Sequence, residues 1–393
     1  MIAPAKKPRV LLVHALLWPN VGRLCSAFQR AGFEVGALAQ ASHPVHRMRS
    51  PSRAYVYRPT APGVSVNAAI QSFRPDLIIP CDDRAVSHLC SLYRGVVPRS
   101  PVRGDVDVRR LIETSLGLQV ARGRISKRSL LAELSHLPDV HVPQIDDVAS
   151  LADLRAWAAR NGLPAVLKLD GSWGGQDVIL VRTEVQLARA YFEMRLRRSS
   201  LMNLKRTLFN GDIEPLVTGS TGAQITVQSF VAGRLANIAL ATWRGEVLAT
   251  VAVEVVSTAK TFGRATVVRQ VEGQEMIETG RAIARRLELS GLHGLDFVLD
   301  EASNQANLLE INPRATQTHH LIAGEGFGLP AAMHAALAGA SAEAKYAPPM
   351  LGEIALFPDG WLQNRGNSLL STILQDIPHE EPELAKYYGY SAP

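Results

Sequence analysis

The segment Asn307–Arg314, reading Asn-Leu-Leu-Glu-Ile-Asn-Pro-Arg, sets two oxygen-bearing side chains, Glu310 and Asn312, two positions apart. Side chains alternate between the faces of a strand, so these two point together while Leu309 and Ile311 turn to the opposite face and a core. Pro313 cannot donate to a strand ladder, so the strand is predicted to stop there with Arg314 at its mouth. A carboxylate and an amide oxygen side by side suit a hard divalent cation such as Mg²⁺, which takes oxygen ligands and keeps contact with substrate phosphates. An arginine beside that ion suits a phosphate or a carboxylate. The same residues also read as a buried strand ending in a turn, with a solvated glutamate.

A second segment bears on that choice. Residues Ala165–Leu169 form a short apolar strand carrying Lys168, and Val178–Val181 form another. Between them runs Asp-Gly-Ser-Trp-Gly-Gly-Gln-Asp, containing Ser172, Gly174 and Gly175. A glycine-rich hairpin tip lets backbone N–H groups approach phosphate oxygens closely. Lys168 would meet the phosphates as a point charge. Alone, this also reads as an ordinary glycine hairpin. It is not a Walker A loop, because no Gly-Lys-Ser/Thr opens a helix after it.

In order along the chain, these segments resemble the ATP-grasp superfamily, of the carboxylate–amine ligase type. Ser126-Lys127-Arg128-Ser129 starts a helical stretch leading to Val140-His141-Val142-Pro143, similar to the family's lysine–helix–Gly-Val-Pro element. The resemblance makes Lys127 the first nucleotide lysine, Lys168 the second, and Ser172 to Gly175 the loop over the β- and γ-phosphates. It makes Gln228-Ser229-Phe230-Val231 the end of the hinge strand whose backbone meets adenine. Asp296 matches the first metal carboxylate, Glu310 and Asn312 the second carboxylate and its amide companion, and Arg314 the arginine acting on the transferring phosphoryl group or acyl phosphate. The resemblance covers roughly Lys127 to Leu329.

The pattern is departed from in places. No glutamate stands two residues after Gly233, where many relatives hold the ribose; Arg234, Leu235, Ala236 and Asn237 follow instead. The ribose contact is thus unassigned. A basic stretch containing Arg195, Arg197, Arg198, Lys205 and Arg206 maps onto no family element.

The resemblance implies a Rossmann-like parallel-sheet domain followed by two α+β subdomains sandwiching ATP. The cofactors implied are ATP with Mg²⁺, Mn²⁺ being an alternative ion. The reaction implied activates a small-molecule carboxylate as an acyl phosphate and joins it to an amine, releasing ADP and phosphate. Three readings compete: a carboxylase-type relative activating bicarbonate, a nucleotide-binding regulatory module, and a kinase stopping at phosphoryl transfer. Homodimers are common among relatives.

The remaining sequence supplies the elements that must position these residues. Arg9 to His14, Phe33 to Leu38 and Asp76 to Pro80 read as strands, with helical spacing over Val21–Ala31 and Ala85–Tyr93. Strands alternating with helices argue for a parallel sheet covered on both faces. The first strand-to-helix turn, His14 to Val21, lacks G-x-G-x-x-G, so no dinucleotide site is expected. Asp82 and Asp83, at a strand's end, suit a helix cap or a substrate-facing role, capping being favoured. We divide the chain at 1–105 (Rossmann-like), 106–230 (central subdomain with the glycine-rich loop), 231–345 (subdomain with the metal site) and 346–393 (C-terminal extension). Gly352–Phe357 is expected to add an edge strand, and the acidic tail from Ile377 to hug the surface or stay partly disordered, without chemistry.

Composition fits a multi-domain enzyme: 393 residues, 47% hydrophobic and 20% charged. No apolar run reaches the roughly 18 residues needed to span a bilayer. Val10 to Trp18 reads as strand and loop rather than a secretion signal. Cys25, Cys81 and Cys90 lack metal-ligand spacing and suit buried thiols in a reducing, cytoplasmic compartment. A net charge of +6 with only 6% aromatics argues against nucleic acid and for anionic small substrates. His319 and His320 are adjacent, too divergent on a helix to share one ion; substrate contact, capping or a plain structural role are all open to them.

Overall fold

The computed structural model describes residues 7–96, 106–123, 127–169, 178–197, 224–260, 263–323, 327–339, 352–363 and 373–390. Ser172, Gly174 and Gly175 lie outside these, as does the basic stretch from 198 onward.

The first unit alternates β1 (Arg9–Val13), α1 (Asn20–Arg30), β2 (Glu34–Gln40), β3 (Arg53–Tyr57), α2 (Pro62–Phe73), β4 (Leu77–Pro80) and α3 (Asp83–Arg94). Its four strands are parallel in the order β3-β2-β1-β4, as the alternation predicts. Leu77 to Pro80 is wholly buried, the continuous apolar run expected of a parallel strand covered on both faces. Two helices, α4 (Val108–Leu116) and α5 (Leu118–Ala121), lead out of it.

The chain continues through α6 (Lys127–Leu134), β5 (Ile145–Val148), α7 (Leu151–Asn161), β6 (Ala165–Leu169), β7 (Val178–Val181), α8 (Glu184–Arg197) and β8 (Ile225–Ser229). The strands form an antiparallel sheet, β5-β8-β6-β7. Helix α6 starts at Lys127 as expected, but that side chain lies outside the described residues.

Next come β9 (Gly233–Trp243), β10 (Glu246–Thr258), β11 (Ala265–Gln270), α9 (Gln274–Leu287), β12 (Gly291–Asp300), β13 (Ala306–Asn312), the two-residue strands β14 (Ile322–Ala323) and β15 (Phe327–Gly328), and α10 (Leu329–Leu337). The chain then passes through β16 (Glu353–Ala355), α11 (Asp359–Gln363), β17 (Leu374–Gln375) and α12 (Pro382–Tyr387). Seven of these strands form one sheet, β13-β12-β9-β10-β11-β16-β17. The close approach that starts β9 requires Gly233, because a Cβ there would fall 2.0 Å from the Leu299 carbonyl oxygen.

Three details differ from the sequence expectation. The β12–β13 register shifts between Asp296/Glu310 and Phe297/Leu308, which leaves Leu309 as a bulge residue. The bulge breaks strict alternation, so Leu308 is fully buried while Leu309 is only half-buried and lines the same cavity as Glu310 and Asn312. Strand β16 is not an edge, since β17 pairs outside it. The acidic tail is docked rather than loose: Glu381 is buried and accepts the backbone N–H groups of Arg49 and Ser50 at 3.0 and 2.7 Å.

The hydrophobic cores explain how the pieces hold together. One cluster joins Leu11, Ile70 and Ile78 to Ile238, Leu295 and Leu308; a second joins Leu24 and Val10 to Val251, Leu292, Met333 and Leu384. The parallel sheet and the seven-stranded sheet are thus cemented on two sides. The four-stranded sheet keeps its own cluster around Trp157, Leu167 and Met194, with α7 and α8.

Leu384 is fully buried, and a Cβ on Gly22 would lie 2.8 Å from its Cδ2. We expect Leu384→Ala to cost about 2–5 kcal/mol. Urea denaturation checks this, and a loss near zero would mean the tail is not docked in solution.

Candidate active site

The chemistry-bearing residues converge where the two cemented sheets meet the four-stranded one. Lys168, Gln228, Ser229, Phe230, Val231, Asn237, Asp296, Glu310, Asn312 and Arg314 all line one cavity of about 740 Å³.

Register alone assembles the acidic centre. On β12, Asp296 stands opposite Glu310 of β13 on one side and opposite Asn237 of β9 on the other. Its carboxylate accepts the Asn237 amide at 2.6 Å and the Asn312 amide at 2.8 Å. Thr318 donates to the Asn237 carbonyl oxygen at 3.1 Å and so fixes the direction of that amide. Desolvation, then the facing Glu310 carboxylate, raises the Asp296 pKa; the two amides and Arg314 counter them. Two carboxylates and an amide oxygen are hard donors, and their mutual repulsion is what a divalent cation relieves, so this set fits Mg²⁺. Among the described residues no cluster of three His, Cys, Asp or Glu side chains could hold a metal.

Arg314 leaves the end of β13 with its guanidinium buried. It donates to Asn312 Oδ1 at 3.1 Å, and its Nε lies 3.0 Å from Asp83 Oδ2. Burial works against its charge, but Asp83, Glu310 and Asp296 outweigh this and raise its pKa further. The indole of Trp18 covers the guanidinium, with 5.4 Å from Cζ to the ring centroid.

At the other end, Lys168 donates to Gln228 Oε1 at 2.6 Å. The two sit on one face because Lys168 pairs with Thr226 and Val166 with Gln228, a diagonal relation across antiparallel strands. Among the described residues the buried Gln228 amide nitrogen has no hydrogen-bond partner, leaving a donor beside Ser229 to Val231.

The paired aspartates divide their roles. Asp82 caps α3 through Ala85 N at 2.9 Å, also accepts Ala15 N at 2.6 Å, and lies 2.9 Å from His14 Nδ1. Asp83 faces Arg314. His319 locks a turn, accepting Thr316 N–H on Nδ1 and donating to the His293 carbonyl at 3.1 Å. His320 lines the cavity and pairs with Asp376 at 2.8 Å. Asp376, just before the acidic tail, is also paired with Arg23 and supplies a carboxylate with a 7% exposed side chain at the site's edge. Burial opposes its ionisation, yet His320 and Arg23 hold its carboxyl below the usual range. Of the basic residues on Ser257 to Arg269, Arg264 reaches the cavity and pairs with Asp359 at 2.8 Å, whereas Arg269 pairs with Glu353 on β16.

Sequence reasoning missed Asn237, Trp18 and Asp376. The signal for Asn237 was a lone amide in the apolar run Leu235-Ala236-Asn237-Ile238-Ala239. For Trp18 it was position, on the loop leaving the C-terminal end of a parallel strand.

Residues 211–318 match the family described as an ATP-grasp domain. A search of curated proteins finds no match to the sequence. The fold is similar to N5-carboxyaminoimidazole synthetase from Staphylococcus aureus complexed with ADP, at a TM-score of 0.59 and 12% identity over 88% of this chain and 82% of that one. It is similar to L-amino acid ligase from Bacillus licheniformis, at 0.58 and 14% over 89% and 80%. It is also similar to the biotin carboxylase domain of 2-oxoglutarate carboxylase from Hydrogenobacter thermophilus, in complex with MgADP and bicarbonate, at 0.58 and 13% over 88% and 73%. At such identities the likeness speaks for the fold. Among the described residues no helix is long and apolar enough to cross a membrane.

Burial alone would raise the Asp82 pKa, but His14 and the Ala85 and Ala15 N–H groups hold it well below the ordinary range. A depressed folded pKa gives stability that is present above the unfolded value and lost as pH falls toward the folded one. Asp82→Asn should therefore lower the urea midpoint at pH 7, with the gap to wild type closing below about pH 4. A gap unchanged down to about pH 2.5 would contradict this assignment.

Proposed function

We propose, from the ATP-grasp domain match over residues 211–318 and the geometry of the cavity, that this chain is an ATP-dependent ligase forming a C–N bond between a small-molecule carboxylate and an amine. The observation that carries the reading is the convergence of Lys168, Asp296, Glu310, Asn312 and Arg314 with the hinge residues Ser229 to Val231 in one cavity. That arrangement separates a nucleoside end from a phosphoryl-transfer end. It favours a working enzyme over a regulatory module.

In this reading adenine lies against Ser229 to Val231, with the buried Gln228 amide close by. Lys168 and Lys127 offset phosphate charge, and Ser172, Gly174 and Gly175 cover the β- and γ-phosphates. Asp296, Glu310 and Asn312 would hold Mg²⁺, which when bound would neutralise charge on the phosphates. A substrate carboxylate oxygen attacks the γ-phosphorus and ADP leaves, giving an acyl phosphate. Arg314 stabilises the charge spread over the transferring group. An amine nitrogen then attacks the acyl carbon, loses a proton and expels phosphate. Positioning and electrostatics suffice, so no activated serine or cysteine is required. The three cysteines are buried free thiols, in keeping with that and with a cytoplasmic setting.

We assign 1–105, 106–230, 231–345 and 346–393 as the domain division. In the last, β16 and β17 complete the large sheet, and α11 with its preceding loop closes one cavity wall.

The carboxylase reading draws on the similarity to N5-carboxyaminoimidazole synthetase and the biotin carboxylase domain. It uses the same centre with bicarbonate as the carboxylate. Screening ADP and phosphate release with Mg·ATP against amino acids, small carboxylates and bicarbonate, singly and in pairs, separates the readings. The ligase requires release that depends on both a carboxylate and an amine; release with bicarbonate as sole carboxylate selects the carboxylase. Glu310→Gln should lower turnover by more than about 100-fold, and an active variant would sink the metal assignment.

A further inference from the structure

We propose that Trp18, held by His14 and through it by Asp82, is a positioning residue for Arg314, so that the N-terminal sheet sets the guanidinium at the phosphoryl-transfer centre. The inference rests on the role proposed above for Arg314 and names what places it.

The strand that carries Arg314 gives it little restraint. Its contacts within that segment are to Asn312 Oδ1 at 3.1 Å and the Ala315 carbonyl at 3.4 Å. The remaining restraint comes from the N-terminal unit. Asp83 pairs with Nε at 3.0 Å, and the guanidinium carbon lies over the Trp18 indole, 5.4 Å from its centroid. An aromatic ring over a guanidinium restrains the cation's position, and the N–H bonds not already engaged can meet an anion.

Trp18 lies on the loop between β1 and α1, and its backbone is held at both polar ends. Its N–H donates to His14 Nε2 at 3.0 Å, and its carbonyl oxygen accepts from His43 Nε2 at 2.9 Å. These bonds fix both tautomers. His14 carries its proton on Nδ1, facing Asp82 at 2.9 Å. His43 accepts Val45 N–H on Nδ1 at 3.1 Å and so donates from Nε2. The Asp82 carboxylate, fully buried, also takes the N–H groups of Ala15 and Leu16 at 2.6 and 3.2 Å. One buried acid and two imidazoles thereby organise the six-residue loop 14–19, whose Trp18 ring meets the guanidinium. Asp82 holds the ring, and its neighbour Asp83 holds the charge beneath it.

The test combines kinetics with a substrate-free readout. ADP release is measured with Mg·ATP on the substrate pair found in the screen, or on water as acceptor if none is found. Trp18→Leu should lower kcat by about 10- to 100-fold with KM for Mg·ATP changed less than about threefold. Trp18→Phe, which keeps an aromatic face, should recover most of the loss. His14→Gln, whose residue lies outside the cavity lining, should give a smaller loss of the same kind. In spectra of ¹⁵N-arginine protein, the Arg314 Nε–H signal, assigned by its loss in Arg314→Lys, should move in Trp18→Leu and His14→Gln. An unmoved signal, or equal losses in Trp18→Leu and Trp18→Phe, overturns the proposal. If Arg314→Ala turns over normally, the functional reading of Arg314 fails, and the arginine signal still decides whether Trp18 places it.

Discussion

Two carboxylates, Asp296 and Glu310, face each other across neighbouring antiparallel strands, and the rest of the site answers that repulsion. The amides of Asn237 and Asn312 bracket Asp296, and Arg314 brings positive charge to its edge. Arg314 is itself compensated by Asp83 from another sheet. Charge therefore alternates through the centre, acid, guanidinium, acid, and each member is costly to bury without the next. The site draws on two sheets because no single strand supplies that alternation.

The packing matches this demand. The sheets bearing Asp296 and Asp83 share two hydrophobic clusters, so the distance between the groups is set by interiors with little room to adjust. The sheet bearing Lys168 and Gln228 has a separate cluster. A nucleotide between them would touch one wall fixed to the acidic centre and another whose interior is independent of it.

Much of this was legible in the sequence because it depended on local period. The alternating strands and helices before Arg94, the two apolar strands around the glycine-rich segment and the pair Glu310 and Asn312 all follow from spacing. The four ordered motifs gave the resemblance to ATP-grasp proteins, and residues 211–318 match that family's domain. What stayed hidden depended on register and on contacts distant in sequence. Nothing local says that Asn237 lies opposite Asp296, since that follows from how β9 and β12 pair. Leu309 was misread because a bulge adds a residue that alternation does not foresee. Asp376 carries no local signal of a role, since its partners Arg23 and His320 are 353 and 56 positions away.

The contact between Gly22 and Leu384 gives the molecule an order in time. A chain made from its N-terminus offers β1, α1 and β2 early, long before residue 384 exists. Until α12 arrives, the groove beside Gly22 is an open apolar surface and Arg23 is a buried cation awaiting Asp376. The nascent parallel sheet is thus an incomplete object, exposed to chaperones and to its own kind. Synthesis must pass residue 384 before that surface is covered.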